Sequence, residues 1–187
     1  MSDRREVVLE ATLRVIACSG VDAATHRAVA AEAGVPLAST TYHFTSKSDL
    51  VCQALELVIE RSTAIVASHA APPGPEDADE LIERLVALAA ALASDERAPL
   101  TAQYELLLEA GRRAELRPLA ERWNEAYLGG LAAMTARAQL RRPELAAEVL
   151  SNVIEGGLLN QLALPQAGFV EGSLREQLRA AVDGLGG

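Results

Sequence analysis

The sequence predicts an all-α fold in two parts: a three-helix helix-turn-helix unit, then a larger helical domain, about nine helices in all. Three observations lead there. Apolar residues recur at helical spacing through almost the whole chain, with no run of alternating β-branched residues to mark a strand. The stretch Thr25–Phe44, THRAVAAEAGVPLASTTYHF, holds two short helical patterns broken by Gly34 and Pro36. Further on, Ala71-Pro72-Pro73-Gly74-Pro75 ends a long fourth helix decisively.

The first helix is expected from about Asp3 to Ser19, with Val8, Ala11, Thr12, Val15 and Ile16 on one face. Gly20 ends it and Val21–Ala24 connects it to the second helix. Thr25 opens that helix, because its hydroxyl can accept an orphan backbone N–H. Gly34 suits the left-handed position that closes it, and Pro36 the first turn of the next. Leu37–Phe44 then makes a third helix of about two turns. Ser46 and Asp49 have capping-box spacing before an apolar run. A fourth helix follows to about His69, burying Leu50, Ala54, Leu57, Val58 and Ile65.

Past the proline break, Glu76, Asp77, Asp79 and Glu80 suit the positive end of a fifth helix carrying Leu81, Leu85, Leu88 and Leu92. Ser94–Pro99 reads as a loop. The sixth helix, Leu100 to about Arg113, holds Tyr104, Leu107 and Leu108. Gly111 and Glu115–Pro118 break the chain before a seventh with Trp123, Tyr127, Leu131 and Met134, where Gly129-Gly130 marks a kink or a close-packing point. Arg141-Arg142-Pro143 starts the eighth: Leu145, Val149, Leu150, Val153, Ile154, Leu158, Leu159 and Leu162, ended by Pro165. Inside it, Gly156-Gly157 predicts close approach of a helix or a ligand, since each glycine costs about 1 kcal/mol against alanine. Ser173 and Glu176 repeat the capping spacing. A ninth helix runs to about Asp183 on Leu174, Leu178 and Val182, and Gly184–Gly187 is expected to fray.

Composition narrows the function. Half of the 187 residues are hydrophobic but only 3% aromatic, so Leu, Ala and Val must build the core. No apolar run approaches the roughly 18 residues of a membrane span, and MSDRREVV is not a signal peptide. A cytoplasmic protein without a membrane partner is expected. Cys18 and Cys52 fit no metal spacing and read as packed thiols. No metal site, cofactor, phosphate loop or nucleophile elbow is recognisable, so catalytic residues and an enzyme are not expected. The net charge is −9, yet residues 1–50 are almost balanced, with five basic and six acidic residues. A nucleic-acid contact made there must rely on few phosphate contacts per subunit, aided by helix N-termini.

Two short helices joined by a glycine turn form the unit whose second helix enters the major groove of DNA. The last two helices are strongly apolar with few elements to cover them, which predicts a homodimer through that pair. The domains are expected at 1–48, DNA-binding, and 49–187, dimerising; the family likeness described next adds ligand binding to the second.

The arrangement resembles the tetracycline-repressor (TetR) family of bacterial transcription regulators. The residues that carry the likeness are Gly20, Thr25-His26-Arg27-Ala28-Val29-Ala30-Ala31-Glu32-Ala33-Gly34-Val35, Tyr42-His43-Phe44, Ser46-Lys47 and Leu50. Tyr104–Ala110 and Glu155-Gly156-Gly157-Leu158 look like a C-terminal subtype of such regulators. The resemblance implies a dimer on a palindromic double-stranded operator, repressing transcription until a small molecule in the C-terminal domain releases it. It implies that Thr25, His26 and Arg27 approach the DNA backbone, with Arg27 within reach of a base, where arginine is the commonest reader of guanine. Leu37, Ala38 and Ser39 lie where base edges are met. Tyr42, His43 and Lys47 match phosphate-contacting positions, with Thr41 beside them, whereas Phe44 reads as packing. The chain departs from the family at Thr40-Thr41, where Leu-Tyr is common. That predicts a less tightly packed recognition helix and one phosphate contact fewer.

An effector pocket is expected among helices five to eight. Tyr104, Trp123, Tyr127, Asn152, Glu155 and Asn160 are the candidate ligand residues, polar handles on apolar helices that suit a small, largely apolar effector. The alternative function is a helical ligand-binding or scaffold protein whose DNA module is inactive.

Overall fold

A computed structural model describes residues 4–93 and 97–186. Among them the chain is helical without strands: α1 (Arg4–Ser19), α2 (His26–Ala33), α3 (Leu37–His43), α4 (Lys47–Ala70), α5 (Ala78–Ala93), α6 (Arg97–Ala110), α7 (Arg117–Arg137), α8 (Pro143–Ala163) and α9 (Arg175–Gly186). Short 3-10 turns at Val21–Ala23 and Ala114–Leu116 precede α2 and α7, and a π turn at Val170–Leu174 leads into α9. No helix among these residues is long and apolar enough to cross a membrane.

Two compact units divide the chain, Met1–Arg61 with Glu96–Arg122, and Ser62–Asp95 with Trp123–Gly187. α4 and α7 contribute residues to both. In the first unit α1 is the central element, packed on α2, α3 and α6. Val8, Leu9, Ala11, Thr12, Leu13 and Ile16 are buried along it, while Val15 is only half-buried. The Thr12 hydroxyl is satisfied by the Val8 carbonyl at 2.8 Å, so burial leaves no orphan donor. In the second unit α5 and α8 pack on α9. Leu81, Ile82, Leu85 and Leu88 supply one side, and Leu174, Leu178 and Val182 the other, as their four-residue repeat predicts. Arg179 to Asp79 at 2.8 Å, and Arg175 to Glu83, tie α9 to α5 at the rim.

The helix signals act largely as read. Thr25 caps α2, its hydroxyl accepting the Ala28 N–H at 3.2 Å. Gly34 ends α2 in the left-handed region, φ 66°, where a side chain would be strained. Ser46 Oγ accepts the Asp49 N–H at 3.1 Å, and the Asp49 carboxylate reaches back one residue further than a standard capping box, to the Thr45 N–H at 2.7 Å. Asp77 caps α5 in the same manner, accepting the Glu80 N–H at 2.9 Å.

Several expectations are corrected. Residues 97–99 of the expected loop are helical: Pro99 is tolerated in the first turn of α6, where its missing N–H has no helical partner. Ser94 to Glu96, Asp3 and Gly187 lie outside the described residues. α6 stops at Ala110 and buries Leu100, Gln103, Leu106 and Ala110, whereas Leu108 is exposed. On α4, Leu57 and Ile65 are half-buried, and Val51, Leu55, Ile59 and Val66 are buried as well. α8 ends at Ala163, before Pro165. Ser173 does not cap α9. It lies within the π turn that runs into the helix, where its Oγ accepts from Gln177 Nε2 at 3.1 Å. Gly184 to Gly186 belong to α9.

Each glycine pair splits in two. A Cβ at Gly130 would fall 2.4 Å from Val66 Cγ1. One at Gly157 would fall 3.0 Å from Phe169 Cζ and 3.1 Å from Leu174 Cδ1. Gly129 and Gly156 have nothing within 4 Å of that position. One glycine of each pair therefore serves close packing, and the other faces open space.

Candidate nucleic-acid interface and ligand site

α3 is short, and what orients it is its buried side. Thr40 and Phe44 are buried in the first unit, and the Thr40 hydroxyl donates to the Leu37 carbonyl at 2.9 Å. Threonine is accommodated at this buried position because its hydroxyl is satisfied by its own helix. The opposite face carries Leu37, Ala38, Thr41 and Tyr42, all exposed, with Tyr42 85% exposed. Ser39 and His43 are half-buried at its edges. Tyr42 and His43 meet edge to face at 5.0 Å. An apolar side chain, Leu37, and a phenol, Tyr42, thus face outward on a two-turn helix.

The start of α2 lies in the same unit. Thr25 and Arg27 are exposed, and among the described residues no ion pair involves Arg27. His26 is half-buried, and its Nδ1 is buried without a hydrogen-bond partner among those residues. Several other cations of the unit are engaged: Arg14 with Glu32 at 2.7 Å, Arg61 with Glu6 and Glu10, and Arg5 with Gln53. Lys47 donates to the Asp22 carbonyl oxygen at 2.7 Å and lies 3.4 Å from its carboxylate. Arg113 donates to that carboxylate at 2.9 Å. Arg113 first, and Lys47 after it, hold the Asp22 carboxyl below its ordinary range. Sequence reasoning missed Asp22 and Arg113. They stand 91 positions apart, and no local pattern joins them.

The ligand candidates divide. Trp123 and Tyr127, one turn apart on α7, stack with ring centroids at 5.2 Å and planes 12° apart. Both are buried. Among the described residues no partner meets full hydrogen-bond geometry at the Tyr127 hydroxyl, although the Glu155 carboxylate lies close enough to act on it. Burial first, and the nearby Glu155 carboxylate after it, push its pKa well above the usual value, so the phenol stays neutral. Glu155 is half-buried on α8, and Asn152 and Asn160 are exposed. Tyr104 is half-buried and belongs to the first unit, the others to the second. A separate open groove of about 830 Å³, lined by His69, Pro73, Glu76, Glu80 and Arg84 among others, contains none of the six. Three of its acidic residues serve structure, Glu80 in the α5 cap and Asp79 and Glu83 in pairs with α9. Among the described residues no group of three His, Cys, Asp or Glu is placed to hold a metal.

Comparison with known proteins agrees with this geometry. The family model for bacterial regulatory proteins of the tetR family matches residues 8–54, and that for the tetracyclin repressor-like C-terminal domain matches residues 76–187. A TetR-family member from Streptomyces coelicolor A3 is 36% identical, covering 96% of this chain and 98% of its own, with a TM-score of 0.72. The multidrug binding protein EbrR, solved with malachite green, is 34% identical over 96% of this chain and 98% of its own, at a TM-score of 0.70. A transcriptional regulator from Rhodococcus sp. Rha1 shares the fold at a TM-score of 0.80 and 21% identity, covering 97% and 95% of the two chains. A search of curated proteins finds no match. The chain belongs to the TetR family of bacterial regulatory proteins, which are DNA-binding transcription factors and not enzymes.

Proposed function

We propose that this regulator binds a palindromic operator as a homodimer, represses transcription, and is released by a small organic effector. The observation that carries the DNA reading is the two-sided α3: Thr40 and Phe44 anchor it, and Leu37, Ala38, Thr41 and Tyr42 are left facing outward. Thr25, His26, Arg27, Ser39, His43 and Lys47 complete the proposed contact set, within a DNA-binding unit of residues 1–48. The test is selection from random duplexes with the purified chain, followed by binding at stepped salt. A palindromic consensus, bound more weakly as salt rises, is expected; no sequence preference in the selected pool would refute the reading.

Dimerisation through α8 and α9 is supported by apolar surface left open on α8, where Leu159 is 51% exposed and the open side of Gly156 lies three residues before it. A solution mass of two chains is expected, and Leu159→Glu should shift it toward one.

The proposed effector is largely apolar and aromatic, with Trp123 and Tyr127 as stacking surface and Glu155 as the nearby charge. EbrR, at about one-third identity, was solved with ethidium and with malachite green, both aromatic dyes that carry positive charge. Trp123 is the single tryptophan of the chain, so its fluorescence reports on this site alone. Quenching by such dyes, lost in Glu155→Gln, supports the assignment; saturable dye binding that leaves Trp123 emission unchanged places the effector elsewhere.

A further inference from the structure

Asp22 sits in the turn between α1 and α2, three residues before the Thr25 cap, with its side chain 89% exposed. Two cations from distant parts of the chain nevertheless converge on it. Lys47, at the head of α4, donates to its carbonyl oxygen at 2.7 Å and lies 3.4 Å from carboxylate Oδ1. Arg113, just past α6, donates from Nη2 to the same Oδ1 at 2.9 Å. The Nε edge of Arg113 is taken by Glu109 at 2.6 Å, which turns the remaining edge toward Asp22. Lys47 and Arg113 also border one groove of about 320 Å³. All of these residues belong to the unit that carries α2 and α3.

A guanidinium and an ammonium aimed at one anionic oxygen are the donors that recognise phosphate. We propose that Lys47 and Arg113 form a two-cation cradle for a DNA backbone phosphate, and that Asp22 occupies it as an internal stand-in until a phosphate displaces it. The proposal rests on the DNA-binding reading above and adds Arg113 and Asp22 to the residues that set affinity. Exposed ion pairs are weak, so a phosphate can compete. Binding gains from counterion release, which a carboxylate already in place diminishes. The stand-in therefore suppresses binding to arbitrary DNA and leaves discrimination to the bases met by α3.

The test uses the full chain and fluorescence anisotropy, with a duplex from the selection above and a mixed-sequence duplex, at stepped salt. Asp22→Asn keeps the side-chain shape and removes the charge. It should bind both duplexes about two- to fivefold tighter per subunit at low salt. The slope of log affinity against log salt should steepen by about one unit per freed cation. Adding Arg113→Gln to Asp22→Asn should reverse part of the gain and return about one unit of slope. Wild-type binding to the operator with no tightening by Asp22→Asn overturns the stand-in. An Arg113→Gln change without effect in the Asp22→Asn background overturns the cradle. Failure of every protein, equally helical by circular dichroism, to bind any duplex overturns the DNA reading and the cradle together.

Discussion

One added methyl group should have opposite effects at the neighbouring glycines 129 and 130. At Gly129 a Cβ meets nothing within 4 Å, so Gly129→Ala gains only helix propensity, about 1 kcal/mol. At Gly130 the Cβ arrives 2.4 Å from Val66 Cγ1. Carbon atoms in good contact lie about 3.5–4.0 Å apart, so the shortfall exceeds about 1 Å. Val66 is 2% exposed, and a β-branched side chain in a helix has essentially one rotamer, so it cannot swing aside. The helices must part instead. Overpacking costs about 1–3 kcal/mol; the upper end fits a shortfall this large, and the propensity gain reduces the net loss to about 2 kcal/mol. For a chain of this size about 2–4 °C corresponds to 1 kcal/mol. Gly129→Ala should melt about 2–4 °C above wild type and Gly130→Ala about 4–8 °C below it. Far-UV circular dichroism measures this, at one protein concentration because a dimer's Tm depends on it. Val66→Ala should recover part of the Gly130→Ala loss, a non-additivity that marks direct contact. A Gly130→Ala protein melting at or above wild type would refute the close approach.

Four further predictions address the cap, the ligand site and the interface. Ser46→Ala should cost about 1 kcal/mol in chemical denaturation, because it frees the Asp49 N–H at the head of α4. Hydrogen bonds from Gln53 and then from the Thr45 N–H hold the Asp49 carboxyl below its ordinary value of 3.8. Its contribution is therefore fully present above that value and lost as pH falls through the lower folded one. Asp49→Asn should flatten the stability profile in that window, and an unaltered acid limb would show that the bonds do not bias the carboxylate. Tyr127→Phe removes a buried hydroxyl without a well-formed hydrogen bond, so stability should hold or rise by about 1 kcal/mol while effector affinity falls; a loss of stability would mean the hydroxyl is satisfied. Arg27→Ala should weaken operator binding by about 1–3 kcal/mol if it reads a base, and unchanged affinity would remove it from the interface.

Much of this fold is legible in the sequence because helix ends are local. Thr25, Gly34 and Ser46 act through neighbours within four residues, so their spacing alone announces α2 and α4. The four-residue repeat of Leu174, Leu178 and Val182 likewise declares a buried stripe without reference to its partner. The π turn before α9 was not legible, since Ser173 and Glu176 mimic a capping box and only the surrounding backbone tells them apart. Nor was the start of α6, because a proline near a helix start and a proline in a loop look alike.

The sequence by itself determined most of the helical segments, the buried stripes of α5 and α9, and that α2 and α3 form a helix-turn-helix, because capping and periodicity depend on near neighbours. The tertiary structure alone decided which glycine of each pair admits a neighbour, that Thr40 is core, that Trp123 lies flat on Tyr127, and that Lys47 and Arg113 share Asp22. Those outcomes depend on distances between residues far apart in the chain, and such distances exist only once the helices have packed.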